Sequence, residues 1–116
     1  MHELSIALSL LEVAEEEIEK QGGGSRVAAL YLRVGPLSGI VKEALTSAYE
    51  LACERTPFEG SRLVFEEVPI VIFCPKCNAE RPVHSVQNIC CVECNTPSAE
   101  IVHGRELLLS ALELVE

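Results

Sequence analysis

Two Cys-x-x-Cys motifs constrain this chain of 116 residues more than any other feature. The first motif is Cys74-Pro-Lys-Cys77, the second is Cys91-Val-Glu-Cys94, and 13 residues separate Cys77 from Cys91. Each motif turns two thiolates toward one ion, and two motifs complete the tetrahedron that zinc prefers. Because four protein ligands leave no open position for a substrate, we expect a structural zinc site. Iron in a rubredoxin-like site is the chemical alternative.

The segment around these motifs has too little apolar surface to fold unaided. From Cys74 to about Pro97 it is rich in Cys, Pro and Asn, and so short a segment needs a metal or another staple. Cys90 adjoins Cys91 and could replace it as a ligand, but the two-residue spacing favours Cys91 and leaves Cys90 as a spare thiol. Cys53, at the end of a predicted helix, is expected to be a small buried side chain.

The amino-terminal sequence argues against a secreted, disulfide-linked scaffold, which six cysteines would otherwise suit. The chain starts Met1-His2-Glu3 and continues into Glu15-Glu16-Glu17, whereas a signal peptide begins with basic residues. No apolar stretch approaches the ~18–20 residues that a membrane span needs. We therefore expect a cytoplasmic protein whose thiols stay reduced and available to a metal ion.

Two helices are expected in the first half of the chain. Apolar residues recur at helical spacing from Leu4 to Ile18, with glutamates on the opposite side. This first helix is expected to end at the Gly22-Gly23-Gly24 sequence. A second helix is expected to begin at Gly39, with Ser38 as its N-cap.

Three stretches have the composition of strands. Residues 27–34 are rich in branched apolar side chains, residues 62–73 form a long stretch interrupted near Pro69, and residues 106–115 are Leu-rich. We expect an α+β fold in which two helices pack on a small sheet of about three strands, with an inserted zinc-ribbon-like domain that holds zinc through four cysteines. The predicted domains are residues 1–69 together with 104–116, and the inserted residues 70–103.

The net charge of −9, from 9 basic and 18 acidic residues, limits the partners. Such a surface repels phosphate backbones and anionic lipid, so neither nucleic acid nor membrane is expected to bind. A zinc-ribbon module that binds nucleic acid or protein remains an alternative. The inserted segment argues against nucleic acid, because its two basic residues, Lys76 and Arg81, are balanced by Glu80 and Glu93. The sequence shows no Ser-His-acid or paired-carboxylate arrangement, and we therefore do not expect this protein to be an enzyme.

His2 is a second candidate ligand because of its place in the chain. The α-amine of Met1 and the amide nitrogen and imidazole of His2 can reach one ion through fused chelate rings, and the amide of Glu3 can take a fourth place. Four nitrogen donors in a plane suit Ni(II) or Cu(II). Since four cysteines already satisfy a zinc ion, His84 and His103 are expected to be surface residues.

The opening Met1-His2-Glu3-Leu4-Ser5, followed by an amphipathic helix, closely resembles the HypA/HybF family, the nickel metallochaperones of hydrogenase maturation. Further landmarks agree in order. They are Arg33-Val-Gly35, Phe73-Cys-Pro-Lys-Cys77, the second cysteine motif, and His103-Gly104-Arg105-Glu106-Leu107.

This resemblance implies a nickel site centred on His2, a structural zinc site in the inserted domain, and no catalytic turnover. It also implies delivery of Ni(II) to the precursor of the [NiFe]-hydrogenase large subunit, together with the nickel-insertion GTPase HypB. Some relatives also serve urease, so the sequence does not decide whether hydrogenase or urease receives the nickel. It also does not decide whether the protein is a monomer or a dimer. Some members place a His after a Cys-x-x-Cys pair, where this chain has Asn78 and Asn95, and no zinc-ligand exchange through such histidines is expected.

Overall fold

The computed structural model describes residues 2–115 and, within that range, the side chains of residues 3–115. Its elements in chain order are α1 (His2–Lys20), β1 (Val27–Val34), a 3-10 helix (Pro36–Ser38), α2 (Lys42–Cys53), β2 (Arg62–Glu67), β3 (Ile70–Cys74), β4 (Ala79–Val83), β5 (Ile101–His103) and β6 (Leu107–Leu114). These strands form two three-stranded sheets, with the orders β2-β1-β6 and β4-β3-β5. Within residues 2–115, no helix is long and apolar enough to cross a membrane.

The chain divides into two compact units. The first comprises the residues up to Leu32, Ile40–Glu66 and the residues from Leu108 onward, and the second comprises Arg33–Gly39 and Glu67–Leu107. The predicted α+β class, with two helices, a small sheet and an inserted segment that carries four cysteines, is confirmed. The predicted domain boundaries at residues 70 and 103 stay a prediction.

The core of the first unit is aliphatic. The helix α1 buries one face at spacings of three and four residues, as an amphipathic helix does, and its glutamates lie on the more exposed side. The central strand β1 contributes fully buried side chains because strands pair with it on both edges. In the first unit, the buried side chains of these two elements are Ala7, Leu10, Leu11, Ala14, Ile18, Val27, Ala29, Leu30 and Leu32, whereas Val34 of β1 is buried in the second unit.

The prediction for the start of the second helix was wrong. The structure begins α2 at Lys42, with Val41 as an extended N-cap that makes no side-chain hydrogen bond. Ser38 instead ends the 3-10 helix that Pro36 starts, and Gly39 follows it with a left-handed φ of 81°. Because this conformation breaks the helical path, α2 starts only after the chain has passed through an extended residue.

The second unit is built on β3. In the antiparallel pair with β4, Ile70 lies opposite Val83 and Cys74 lies opposite Ala79. Ile70, Ile72 and Val83 form its buried apolar cluster, against which Leu37, Ile89 and Ile101 pack with partial exposure. The predicted break near Pro69 is confirmed, because β2 ends at Glu67 and β3 starts a different sheet at Ile70.

Two glycines hold two segments of this unit together. Gly35 donates its N–H to the carbonyl of Glu106 at 2.9 Å, and Leu37 donates to the carbonyl of Gly104 at 2.7 Å. A Cβ at Gly35 would overlap the Gly104 carbonyl, and Gly104 itself has a φ of +127°. The backbone approach therefore requires glycine at both positions.

Candidate metal centre

The two cysteine motifs fold into matching turns. In the first, Cys77 donates its N–H to the Cys74 sulfur at 3.4 Å, and Asn78 donates to the Cys74 carbonyl at 2.8 Å. In the second, Glu93 donates to the Cys91 sulfur at 3.4 Å, and the following Asn95 donates to the Cys91 carbonyl at 2.8 Å. These N–H···S bonds orient the sulfur atoms of the two turns.

The residue after each motif has a left-handed backbone. Asn78 has a φ of 55° and Asn95 a φ of 63°. Asparagine tolerates this conformation better than most residues that carry a side chain. The two asparagines therefore have a local structural role in closing the turns.

The turns bring four thiols together with the geometry of a tetrahedral metal site. The sulfur atoms of Cys74, Cys77, Cys91 and Cys94 all lie within 4.8 Å of one another. The Cys74–Cys94 sulfur distance is 3.5 Å and the Cys77–Cys91 distance is 3.8 Å. A tetrahedral zinc with Zn–S bonds of about 2.3 Å separates its sulfur ligands by about 3.8 Å. The cluster therefore fits zinc, whereas both distances greatly exceed the ~2.05 Å of a disulfide bond.

The structure brings Cys91 rather than Cys90 into this cluster. Cys91 is buried, and Cys90 is partly exposed with its sulfur 3.1 Å from Oδ1 of Asn88. Cys53 is buried in the first unit, as expected. Which of the two adjacent cysteines binds the metal stays a prediction, and the geometry agrees with Cys91.

The thiols of the cluster have divergent proton affinities. Thr96, whose Oγ1 lies 3.1 Å from the Cys94 sulfur, lowers the pKa of the Cys94 thiol to about 6 through its side chain and its backbone. The interaction with Cys94, together with burial, raises the pKa of the Cys77 thiol to about 11. One thiolate thus opposes the ionisation of the next, and a divalent cation removes that opposition by replacing the protons.

The histidines of the second unit lie outside the cluster and are exposed, as expected. Nδ1 of His103 lies 2.7 Å from Oε2 of Glu106, whose other oxygen accepts the Gly104 N–H at 2.6 Å. These bonds lower the pKa of the Glu106 carboxyl to about 2, with the Gly104 N–H as the largest cause. His84 lines a surface cavity together with Asn88, Cys90 and Cys91.

The predicted nickel ligands lie at the start of α1. That helix begins at His2, which places Glu3 in its first turn. Met1 and the side chain of His2 lie outside the described residues. The nickel ligand set therefore stays a prediction.

One residue beside the cluster was missed by the sequence analysis. Arg81 interacts with the thiols of Cys77 and Cys91, which raise its pKa. The alternation along β4 could have indicated it, because Ala79, Arg81 and Val83 are less exposed than Glu80 and Pro82. The sequence analysis counted Arg81 only as one of the few cations in the segment.

The comparisons with known proteins agree over nearly the whole chain. Residues 1–114 match a family model described as hydrogenase/urease nickel incorporation, metallochaperone, hypA. The hydrogenase maturation factor HypA of Chloroflexus aurantiacus is 45% identical over 113 residues, which cover 97% of this chain and 98% of the relative. That of Geobacter metallireducens is 39% identical over 114 residues, 98% of this chain and 99% of the relative.

Solved structures agree with the fold. The solution structure of the Ni metallochaperone HypA from Helicobacter pylori superposes with a TM-score of 0.71 at 23% identity and covers 99% of this chain and 98% of that one. A second solution structure of a HypA protein gives a TM-score of 0.73 at 23% identity and covers 99% of this chain and 97% of that one. The family match and the identity to the two relatives confirm the predicted resemblance, and the chain belongs to the HypA family of hydrogenase maturation factors, which are nickel metallochaperones and not enzymes.

Proposed function

We propose that this protein binds Ni(II) at its amino terminus and delivers it during maturation of [NiFe]-hydrogenase, while zinc is held by the four cysteines. The observation that carries the proposal is the match of residues 1–114 to a nickel-incorporation family. The relatives are named hydrogenase maturation factors, and a structural neighbour is named a Ni metallochaperone. Nickel is thus the cargo, and zinc is a resident structural ion.

Zinc is assigned to Cys74, Cys77, Cys91 and Cys94, within an inserted domain of residues 70–103. The sulfur distances of 3.5 and 3.8 Å support this assignment, and bound zinc would supply a fixed tetrahedral crosslink between the two turns. Metal analysis of purified protein should find one zinc per chain. A red protein that contains iron would instead support the rubredoxin-like alternative.

Nickel is assigned to the α-amine of Met1, the amide nitrogen and imidazole of His2, and the amide of Glu3, within a domain of residues 1–69 together with 104–116. Because α1 begins at His2, ligation by amide nitrogens in its first turn breaks no intrahelical hydrogen bond. Four nitrogen donors in a plane give a four-coordinate, diamagnetic Ni(II) complex. Since ligation displaces protons, its affinity should fall as the pH is lowered through the imidazole range.

The test measures nickel binding to untagged protein by calorimetry and visible absorption. His2→Ala and a short N-terminal extension that converts the Met1 amine into an amide should both abolish stoichiometric binding. His84→Ala and His103→Ala serve as matched controls, because both histidines are exposed and lie outside the cysteine cluster. Full nickel affinity in the extended protein would exclude the amine, and loss of binding in either control would relocate the site.

The proposed partners are the nickel-insertion GTPase HypB and the precursor of the [NiFe]-hydrogenase large subunit, in a cytoplasmic setting. The family description names both hydrogenase and urease, so urease is proposed as a second client. Deletion of the gene in its host, followed by hydrogenase and urease assays with and without added nickel, separates the two. Size-exclusion chromatography with light scattering distinguishes a monomer from a proposed homodimer.

A further inference from the structure

Arg81 occupies a position on the inner face of the small sheet in the second unit. In the pairing of β3 with β4, Arg81 lies opposite Ile72, and Ala79 lies opposite Cys74. Residues directly opposite each other in an antiparallel pair share one face of the sheet. Ile72 and Cys74 are both fully buried. The register therefore places a permanent positive charge on the face that carries the first metal-binding cysteine.

The surroundings of Arg81 leave part of its guanidinium without a protein partner. Within residues 2–115, its Nε is a buried side-chain nitrogen that makes no hydrogen bond. The carboxylate of Glu80, the adjacent residue on β4, belongs to the opposite face because successive side chains of a strand alternate. Arg81 as a whole is partly exposed, but a buried N–H that lacks an acceptor costs free energy, and an anion beside it removes that cost. The sulfurs of Cys77 and Cys91 raise the pKa of the Arg81 guanidinium, which agrees with the position of Arg81 on the face that carries Cys74.

The metal centre supplies the missing anion. Four thiolates around one Zn²⁺ carry a net charge of −2, and two of the four cysteines, Cys74 and Cys91, are buried. We propose that Arg81 is a positioning residue of the metal–thiolate centre, whose guanidinium offsets this charge and donates hydrogen bonds to the sulfurs of Cys77 and Cys91. Its effect is to slow the loss of the metal. The inference rests on the proposed zinc site.

Lys76 provides a matched control. It lies inside the first cysteine motif and has the same charge as Arg81, but its side chain is exposed. Replacing either residue with Gln removes one positive charge from the same segment. Only the Arg81→Gln variant removes a cation from the inner face of the sheet.

The experiment follows zinc release from the full chain into an excess of a chromogenic chelator. Loss of an outer-shell partner typically lowers metal affinity about 10–100-fold. If that loss is expressed in the dissociation rate, Arg81→Gln should release zinc about 10–100-fold faster than the unaltered protein. Arg81→Lys keeps the positive charge but loses the planar guanidinium, so its rate of zinc release should lie between those of the unaltered protein and Arg81→Gln. Lys76→Gln should stay within about twofold of the unaltered protein, because an exposed charge is screened by solvent.

A spectroscopic measurement distinguishes a direct effect of Arg81 on the sulfur ligands from a general loss of stability of the second unit. With Co(II) in place of zinc, removing a positive charge beside the thiolates raises the energy of their electrons. The sulfur-to-cobalt charge-transfer band should therefore move to longer wavelength in Arg81→Gln and stay unchanged in Lys76→Gln. If Arg81→Gln does not give folded protein, Arg81→Lys serves as the test and should still release zinc faster than Lys76→Gln.

The outcomes distinguish this inference from the proposed zinc site. If zinc is stoichiometric and lost in Cys74→Ala, but Arg81 variants match Lys76→Gln in release rate and spectrum, the role of Arg81 is overturned while the zinc site stands. If the unaltered protein binds no zinc, or Cys74→Ala retains it, the zinc site itself fails. If zinc release is faster and the charge-transfer band is shifted in Arg81→Gln but not in Lys76→Gln, both the zinc site and the role of Arg81 are supported.

Discussion

Replacing Cys74 with Ala should unfold the second unit and leave the first unit folded. Cys74 ends β3, is fully buried and contributes one of the four clustered sulfurs. Without it, a metal would be left with three thiolates from the chain. The substitution therefore removes the crosslink between the two turns more than it removes apolar contacts.

The apolar core of the second unit is too small to compensate. Ile70, Ile72 and Val83 form its buried aliphatic cluster, and Val34 and Val68 are also buried in this unit. At roughly 2 kcal/mol each, these side chains contribute about 10 kcal/mol. A structural zinc contributes about 10–16 kcal/mol of apparent binding free energy. Loss of the zinc thus removes a contribution at least as large as that of all the buried aliphatic side chains of the unit. The first unit, with its aliphatic core on α1 and β1, has no cysteine of the cluster.

Amide hydrogen exchange read by NMR measures each unit separately. In the unaltered protein, the amide of Phe73, which donates to the carbonyl of Glu100 at 3.0 Å, should be protected. In Cys74→Ala, this protection should fall to the level of an unfolded chain, while the buried β1 residues Leu30 and Leu32 keep theirs. Cys53→Ala is the matched control, because Cys53 is equally buried but lies in the first unit.

Two results would refute the reasoning. Unchanged protection of Phe73 in a Cys74→Ala protein that has lost its zinc would show that the second unit folds on its apolar cluster alone. Loss of protection at Leu30 as well would show that the two units do not fold independently. Metal analysis of the same sample determines whether the zinc has in fact been lost.

Three further expectations concern individual residues. Cys90→Ser should retain one zinc per chain and Cys91→Ser should lose it, as measured by metal analysis, because only Cys91 belongs to the cluster. Gly35→Ala should lower stability in urea by about 2–3 kcal/mol, since its Cβ would overlap the Gly104 carbonyl; an unchanged midpoint would contradict this contact. The Glu106 carboxyl, with its pKa lowered from 4.5 to about 2, stabilises the fold above about pH 4.5, and this contribution is lost as the pH falls toward 2. Glu106→Gln should therefore flatten the acid side of a curve of melting temperature against pH, and an unaltered curve would count against it.

The sequence predicted those features that depend on local chemistry. The spacing of the cysteines predicted a four-sulfur cluster because a two-residue loop within each motif leaves the sulfurs few other arrangements. Residues 27–34 coincide with β1 because their branched apolar side chains suit a central buried strand. Pro69 marked the passage between sheets because proline cannot donate to a strand ladder.

The features that the sequence did not predict depend on contacts between distant residues. The strand β4 contains Pro82 and two charged residues, Glu80 and Arg81, so its propensity alone gives no strand. It forms because β3 pairs with it over its whole length. The start of α2 was misplaced because Ser38 and Gly39 satisfy the usual signals for a helix start, while the left-handed Gly39 actually ends the preceding 3-10 helix.

A protein that delivers one metal and retains another needs two sites with opposite exchange properties. Cys74 and Cys91 are buried, all four ligands of the cluster come from the chain, and soft thiolates hold zinc tightly. Such a closed site exchanges its ion slowly, which suits a structural metal and would prevent transfer of a cargo. The cargo site must then use other ligands, and the nitrogen donors proposed at the start of α1 would meet that requirement because protonation can release them one at a time. Nickel added to zinc-loaded protein should therefore bind without displacing zinc, and zinc that appears in solution on nickel addition would show that the two metals compete for the cysteines.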